Sequence, residues 1–196
     1  TVDLTDDDAK NKQISIGNFI DNSTVERSII RTAAGNDTIN TGGYYSKIFA
    51  GDGDNKITVN SSSNNTITAG TGADFVTIKG NSDSNIVSVG GGNNTVYGGL
   101  GRNTVVAGAG ADKVTIGSGY VNVGAGNNNV SLKSGGSSRI ISGGGNDVIK
   151  VGSSTSSRYD DFISVSGGNN LIDNSTVERS TIISGSGKDT INTGGY

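Results

Sequence analysis

The sequence predicts an all-β fold, a parallel β-solenoid of about 19 residues per coil. Three observations predict it. Aliphatic residues recur in pairs nine positions apart, the sixth residue of each ten-residue window so defined is glycine, and the eighth alternates strictly between aspartate and asparagine. The pairs are Ile30/Ile39, Ile48/Ile57, Ile67/Val76, Val87/Val96, Val105/Val114, Val121/Val130, Ile140/Ile149, Ile163/Ile172 and Ile182/Ile191. A repeat of this length indicates a stack of coils, each of which contacts only its neighbours.

The two corners of each coil differ in length. The offset inside a pair never departs from nine, whereas the opposite half-turn runs from 7 residues (Val114 to Val121) to 14 (Ile149 to Ile163). Segments such as Ile57-Thr58-Val59 alternate with the period of a strand that is buried on one face. We therefore predict two short strands per coil, joined by one tight glycine-rich corner and one variable corner.

The tight corner repeats a glycine and an Asp/Asn position. A glycine at a fixed place predicts positive φ or a close approach of the next coil, because a Cβ would be costly there. The glycines are Gly35, Gly53, Gly72, Gly92, Gly110, Gly126, Gly145, Gly168 and Gly187. The aspartates are Asp37, Asp74, Asp112, Asp147 and Asp189, and the asparagines between them are Asn55, Asn94, Asn128 and Asn170. Together they predict a ladder of polar side chains along the stack.

A larger repeat spans the small one. Residues 20–44 match residues 172–196 at 19 of 25 positions, displaced by 152 residues, which is eight coils of 19. We expect an acidic N-terminal cap or leader at 1–19, an eight-coil solenoid at 20–171 and the start of a second copy of the repeat at 172–196. The chain is then expected to belong to a longer tandem array.

Composition argues against several classes of function. The chain has no histidine or cysteine, and its two glutamates are equivalent copies in the larger repeat, so we do not expect an enzyme. A net charge of −3 without a basic cluster gives no electrostatic support for nucleic-acid binding. No apolar run approaches the length of a membrane span, so membrane insertion is not expected either.

Three segments of the tight corner resemble a known repeat. GTGADFVTI (70–78), GAGADKVTI (108–116) and GGGNDVIKV (143–151) are similar to the glycine-rich nonapeptide GGxGxDxUx of the haemolysin-type, repeats-in-toxin (RTX) family. The resemblance implies a secreted bacterial β-roll that holds calcium at its corners through backbone carbonyls and the aspartates of successive coils. The positions that match the aspartate are Asp37, Asp74, Asp112, Asp147 and Asp189.

The chain departs from that pattern at both corners. The variable corner is read as carrying no row of metal ligands, since its corresponding residues are Ser46, Asn65, Asn85, Asn103, Val121, Ser138, Asp161 and Arg179. At the tight corner, asparagine doubles the spacing between carboxylates to about 9.6 Å, near the ~10 Å Debye length, and supplies amide donors. Two interpretations stay open: an Asp/Asn ladder that needs no metal, and weak calcium sites with one carboxylate each.

The function favoured by these observations is a non-enzymatic extracellular structural segment of a long bacterial surface, adhesin or fibre-forming protein. The alternative is a calcium-binding RTX-type β-roll module, followed by a polysaccharide-acting solenoid enzyme and an ice-binding protein. No cofactor is expected to be required, and Ca²⁺ is the ion that the resemblance implies. The expected partners are further copies, end to end through the solenoid edges and laterally along an outward apolar row: Phe49, Val106, Ile141 and Ile183.

Overall fold

The computed structural model is a parallel β-solenoid, which confirms the predicted fold class. It describes residues 2–3, 12–14, 19–23, 26–60, 63–81, 83–134, 137–153, 160–177 and 179–194. These residues contain strands and turns but no α-helix, and therefore no helix of the length and hydropathy that would cross a membrane.

Two parallel sheets face each other across a thin core. Odd-numbered strands form an eleven-stranded sheet, here the odd sheet: β1 Val2–Asp3, β3 Phe19–Asn22, β5 Thr38–Gly42, β7 Lys56–Asn60, β9 Phe75–Ile78, β11 Thr95–Tyr97, β13 Lys113–Ile116, β15 Asn129–Leu132, β17 Val148–Val151, β19 Leu171–Asn174 and β21 Thr190–Thr193. Even-numbered strands form a ten-stranded sheet, the even sheet: β2 Lys12–Ile14, β4 Ile29–Thr32, β6 Lys47–Phe49, β8 Thr66–Thr68, β10 Ile86–Ser88, β12 Arg102–Ala107, β14 Ser118–Val123, β16 Arg139–Ser142, β18 Asp161–Val165 and β20 Ser180–Ile183.

The paired aliphatic residues form two rows in the core, one from each sheet. The first members of the pairs are in direct register along the even sheet, and the second members along the odd sheet. From Ile30 to Ile172 their side chains are at most 1% exposed. The constant nine-residue offset in the sequence predicts this strand register, because a one-residue slip would turn a whole row towards solvent.

The register at the variable corner differs from the sequence prediction at two places. Gly119, not Val121, is the partner of Asn103, and Ser180, not Arg179, is the partner of Asp161. The coils differ in length on this side, so the alignment has to be counted back from the first aliphatic residue of each pair, here called the anchor residue. The position two residues before each anchor is the one that faces inward.

The N-terminal segment contributes two short strands to the sheets. β1 pairs with β3, and β2 pairs with β4 with Lys12 opposite Ile30. Residues 4–11 and 15–18, which make up most of the predicted cap at 1–19, lie outside the described residues, so the cap stays a prediction. At the other end of the stack, β19 pairs with β21 and continues the register of the first copy of the larger repeat.

The predicted apolar row lies on the outward side of the even sheet. Val106 and Ile141 are half-buried, Ile183 is 51% exposed, and Phe49 lies beneath the guanidinium of Arg31 at 4.7 Å. Lateral packing through this row remains a prediction.

Candidate metal centre

The tight corner is a stack of glycine turns in which backbone packs directly on backbone. Each of the nine repeated glycines has positive φ, between 118° and 142°. A Cβ built on Gly110 would lie 2.0 Å from the carbonyl oxygen of Gly92 in the preceding coil. The amide of Gly110 also donates a 2.8 Å hydrogen bond to the carbonyl of Ala125 in the following coil. Both reasons for glycine, the left-handed backbone and the close approach, therefore apply at this position.

In the asparagine turns, the side-chain amide fills the turn with a donor. Nδ2 of Asn94 donates to the carbonyl oxygens of Gly90 and Gly92 at 3.1 and 3.0 Å, and to Oδ1 of Asp112 in the next coil at 3.0 Å. Asn55 and Asn128 make the same three contacts. Each of these turns is thus satisfied by the chain itself.

The aspartates and asparagines form one continuous ladder through the stack. Oδ1 of Asp112 accepts from both the backbone N and Nδ2 of Asn94, at 2.9 and 3.0 Å. The backbone N of Asp112 in turn donates to Oδ1 of Asn128 at 3.0 Å. Backbone-to-side-chain bonds of this kind link every successive pair from Asp37 to Asp189.

The aspartate turns leave one carboxylate oxygen without a partner. Asp74, Asp112 and Asp147 are each only 1% exposed. In all three, Oδ2 is buried and makes no hydrogen bond. An aspartate has an acceptor where asparagine has its amide donor, so it cannot bond the two turn carbonyls as Asn94 does. A buried acceptor left unpaired in this way costs on the order of 1–3 kcal/mol. A proton or a cation at Oδ2 would remove this cost.

Burial shifts the ionisation of two of these carboxyls. Desolvation raises the pKa of Asp74 and of Asp112 above the ordinary value, and the hydrogen bonds from the preceding asparagines oppose it only partly. The exposed carboxylates of Asp54 and Asp52 raise the pKa of Asp74 further. In the protein without bound metal, each of these carboxyls binds a proton more readily than an exposed aspartate does.

Asp189 differs from the other aspartates. Its Oδ2 accepts a hydrogen bond from the hydroxyl of Ser184, and hydrogen bonds from Ser184 and Asn170 lower its pKa. It is also only partly buried. In this turn the second carboxylate oxygen is therefore hydrogen-bonded by the chain itself.

The oxygen atoms of the aspartate turns match the preference of a hard cation. Carboxylate, backbone carbonyl and amide oxygens are the ligands that Ca²⁺ takes in proteins. In the part of the chain that the structure describes, no three acidic, histidine or cysteine residues cluster, which argues against a high-affinity metal site. The residues present therefore fit calcium, with a single buried carboxylate per site.

The variable corner carries a second buried ladder that the sequence analysis missed. Nδ2 of Asn65 donates to Oδ1 of Asn85 at 3.0 Å, and Nδ2 of Asn85 donates to Oδ1 of Asn103 at the same distance. Farther along, the backbone N of Ser138 donates to Oδ1 of Asp161 at 2.7 Å. Gly119, which has no side chain, interrupts the row. The signal that could have revealed it is a polar residue two positions before each anchor residue except Val121, which has Gly119 there.

Comparison with known proteins supports the resemblance seen at the tight corner. A family model of the RTX calcium-binding nonapeptide repeat matches four stretches: residues 31–61, 59–77, 79–114 and 134–154. They cover 104 of the 196 residues and include the turns of Asp37, Asp74, Asp112 and Asp147. No curated protein and no solved structure matches the chain. With more than half of its length matched, the chain belongs to the RTX calcium-binding nonapeptide repeat family.

Proposed function

We propose that the chain is a calcium-binding β-roll module in which alternate tight turns hold the ions. The observation that carries the proposal is the contrast between neighbouring turns. Asn94 satisfies its turn with an amide donor, whereas Asp112 places an unpaired buried oxygen at the equivalent side-chain position. A cation at the aspartate turn supplies the positive charge that the amide hydrogens supply at the asparagine turn.

The ligands at one such site follow from this equivalence. Oδ2 of Asp112, the carbonyl oxygens of Gly108 and Gly110, and Oδ1 of Asn128 would hold the ion. The two carbonyls are the counterparts of those that Asn94 contacts, and no hydrogen bond among the described residues ends on the carbonyl of Gly110. Turns of Asp74 and Asp147 repeat the arrangement. Bound calcium neutralises the buried carboxylate and cross-links adjacent coils.

The expected affinity for calcium follows from the number of carboxylates at each site. Calcium sites with few carboxylates, such as those of extracellular modules, have Kd on the order of 10⁻⁴–10⁻³ M. One carboxylate per site places this module at the weak end of that range. Such sites fill at the calcium concentrations found outside cells, so we propose an extracellular module that serves a structural role and performs no catalysis.

A metal-independent rod is the second candidate, and one observation favours it. Each asparagine amide at the tight corner already bonds the carboxylate of the next coil, for example Asn55 to Asp74 at 2.9 Å. The asparagine amides thus link alternate steps of the stack without an ion, and bonds from the aspartate backbone N to the next asparagine link the steps between them. In this role the chain would be a stiff structural segment of a surface or fibre-forming protein.

Thermal unfolding followed by circular dichroism distinguishes the two candidates. At 10 mM calcium, a site with Kd near 1 mM stabilises the folded state by about 1.4 kcal/mol, and several sites act together. We expect melting temperature to rise steadily with calcium and to return to its starting value with EDTA. Magnesium, which prefers rigid octahedral sites, should act more weakly. A melting temperature that is the same in EDTA and in calcium would favour the metal-independent rod.

A further inference from the structure

The outward face of the odd sheet gathers lysines that lie far apart in the sequence. Exposed lysines occupy five of six consecutive coils, on or directly after strands β7, β9, β13, β15 and β17: Lys56, Lys79, Lys113, Lys133 and Lys150. Lys56 and Lys113 share one outward row, with Phe75 and Thr95 between them. At a strand spacing of ~4.8 Å, the five lysines extend over about 24 Å of the solenoid.

No acidic side chain interrupts this face. From β5 to β17, a region in which every outward residue of the odd sheet is described, those positions carry Thr, Asn, Ser, Lys, Gly, Val and the aromatic residues, but neither Asp nor Glu. On the two flanking strands of the odd sheet the face ends at Asp21 and Asp173, and Asp173 lies directly opposite Lys150. The face therefore carries five lysines and no carboxylate over the six strands from β7 to β17, in a chain whose net charge is −3.

The coil without a lysine contributes an aromatic ring, Tyr97, which pairs with Phe75 of the preceding coil. Phe75 and Tyr97 meet edge to face with ring centroids 5.8 Å apart, and Phe75 is 40% exposed. Nζ of Lys113 lies 5.9 Å from the centre of the Tyr97 ring. Apolar surface and positive charge thus lie side by side in the middle of the face.

Cations of the even sheet are arranged differently. Arg31 and Arg139 lie over the rings of Phe49 and Phe162 at 4.7 and 4.3 Å, and the guanidinium of Arg102 donates to the carbonyl of Ser137. These groups are engaged by the chain itself. Within the described residues, lysines recur from coil to coil along the axis on the odd sheet and not on the even sheet.

We propose that this face, here the lysine face, binds a linear acidic polysaccharide that lies along the solenoid axis. Ammonium groups pair with sugar carboxylates or sulfates, and the complementary charge steers the encounter. Outward hydroxyls of Thr58, Thr77 and Thr115 stand in the neighbouring row and can bond sugar hydroxyls. The Phe75–Tyr97 pair offers an apolar surface to the C–H face of a sugar ring.

A polysaccharide fits this face better than a nucleic acid does. Proteins that bind single-stranded nucleic acid stack successive bases on a series of aromatic side chains in a charged groove. Here the outward face of the sheet carries one aromatic pair over six coils. The cations are all lysines, whereas arginine, with its planar fork, is the residue favoured for phosphate recognition. This binding does not depend on the turn sites, because its residues point away from the core.

Isothermal titration with an oligogalacturonate of about ten sugars tests the proposal, with a neutral dextran of similar length as the comparison. In a buffer in which the protein is fully folded, we expect binding to the oligogalacturonate that weakens as salt is added, and no binding to dextran. The triple variant Lys56→Gln/Lys113→Gln/Lys150→Gln should lose about tenfold or more in affinity. Tyr97→Ala should lose affinity without changing the salt dependence.

A matched control removes the same charge from the other face. Arg31→Gln/Lys47→Gln/Arg139→Gln changes the net charge equally and should bind within about twofold of the wild type. Circular dichroism shows whether both triple variants keep the native fold. Equal losses in the two variants, or no binding by the wild type, would overturn the proposal. Tighter binding to a decathymidylate than to the oligogalacturonate would also overturn it, in favour of a nucleic acid.

Discussion

Nδ2 of Asn94 donates a 3.0 Å hydrogen bond to Oδ1 of Asp112, one coil farther along the stack. The same amide also bonds two carbonyl oxygens of its own turn. This one amide therefore bonds the carbonyls of its own turn and one oxygen of the next carboxyl group. The other oxygen, Oδ2 of Asp112, has no hydrogen-bond partner. The strict alternation of Asp and Asn makes this arrangement recur every second coil.

Replacing Asp112 with asparagine should stabilise the metal-free protein and remove one calcium site. The new Nδ2 would donate to the carbonyls of Gly108 and Gly110, while Oδ1 would still accept from Asn94. Pairing a buried group that was unsatisfied contributes about 1–3 kcal/mol. We expect a higher melting temperature in EDTA and a smaller increase with calcium than in the wild type. A lower melting temperature in EDTA would show that the ionised carboxylate is needed there.

The reverse change, Asn94→Asp, should have the opposite effect. It places carboxylates on three consecutive coils, with Asp74 and Asp112 on either side. Two charges ~4.8 Å apart repel by roughly 3.5 kcal/mol at an effective dielectric constant of 20, and the amide donor is lost as well. The variant should be destabilised in EDTA by several kcal/mol and should bind calcium more tightly. Urea unfolding with and without calcium measures both effects, and unchanged stability in EDTA would contradict the account.

The tight corner could be predicted from the sequence because its length is constant. Nine-residue offsets fixed the anchor rows, the glycines and the Asp/Asn ladder without reference to any coordinates. Variable coil lengths hid the other corner: Val121 and Arg179 stood in the predicted row where the structure has Gly119 and Ser180. The buried ladder from Asn65 to Asn103 was missed for the same reason.

Two other features needed the three-dimensional arrangement. Whether Oδ2 of Asp112 has a partner depends on the side-chain orientation, which residue spacing does not determine. The lysine face depends on the register of strands 16 to 20 residues apart, so its charges look scattered along the chain. Calcium as the ion was implied by the family resemblance, and the geometry showed which atoms lack a partner.

Stability without metal should rise as the pH is lowered from neutral towards the ordinary aspartate range. Burial raises the pKa of Asp74 and of Asp112 in the folded protein above the unfolded value. The folded state therefore binds these protons more tightly, and that stabilisation is lost as pH rises through the raised pKa. Melting in EDTA between pH 7 and about 5 measures the trend. Asp74→Asn/Asp112→Asn should flatten it, and stability that fell steadily over this range would contradict the assignment.

Close packing at the glycine turns gives a prediction with a matched control. Gly110→Ala adds a Cβ that would lie 2.0 Å from the carbonyl of Gly92 and forces alanine to a φ of 142°. We expect a loss on the order of 3 kcal/mol. Gly144→Ala, also in a tight turn, meets nothing within 4 Å and should stay within about 0.5 kcal/mol of the wild type. Equal effects of the two substitutions on urea unfolding would remove the close-approach argument.

The number of calcium ions bound per chain tests the central claim most directly. Equilibrium dialysis at saturating calcium should show one ion for each aspartate turn whose Oδ2 is unmatched, which includes those of Asp74, Asp112 and Asp147. The variant Asp74→Asn/Asp112→Asn/Asp147→Asn should stay folded and bind three fewer ions. Calcium binding that is undetectable in the wild type, or equal in the two proteins, would contradict the account.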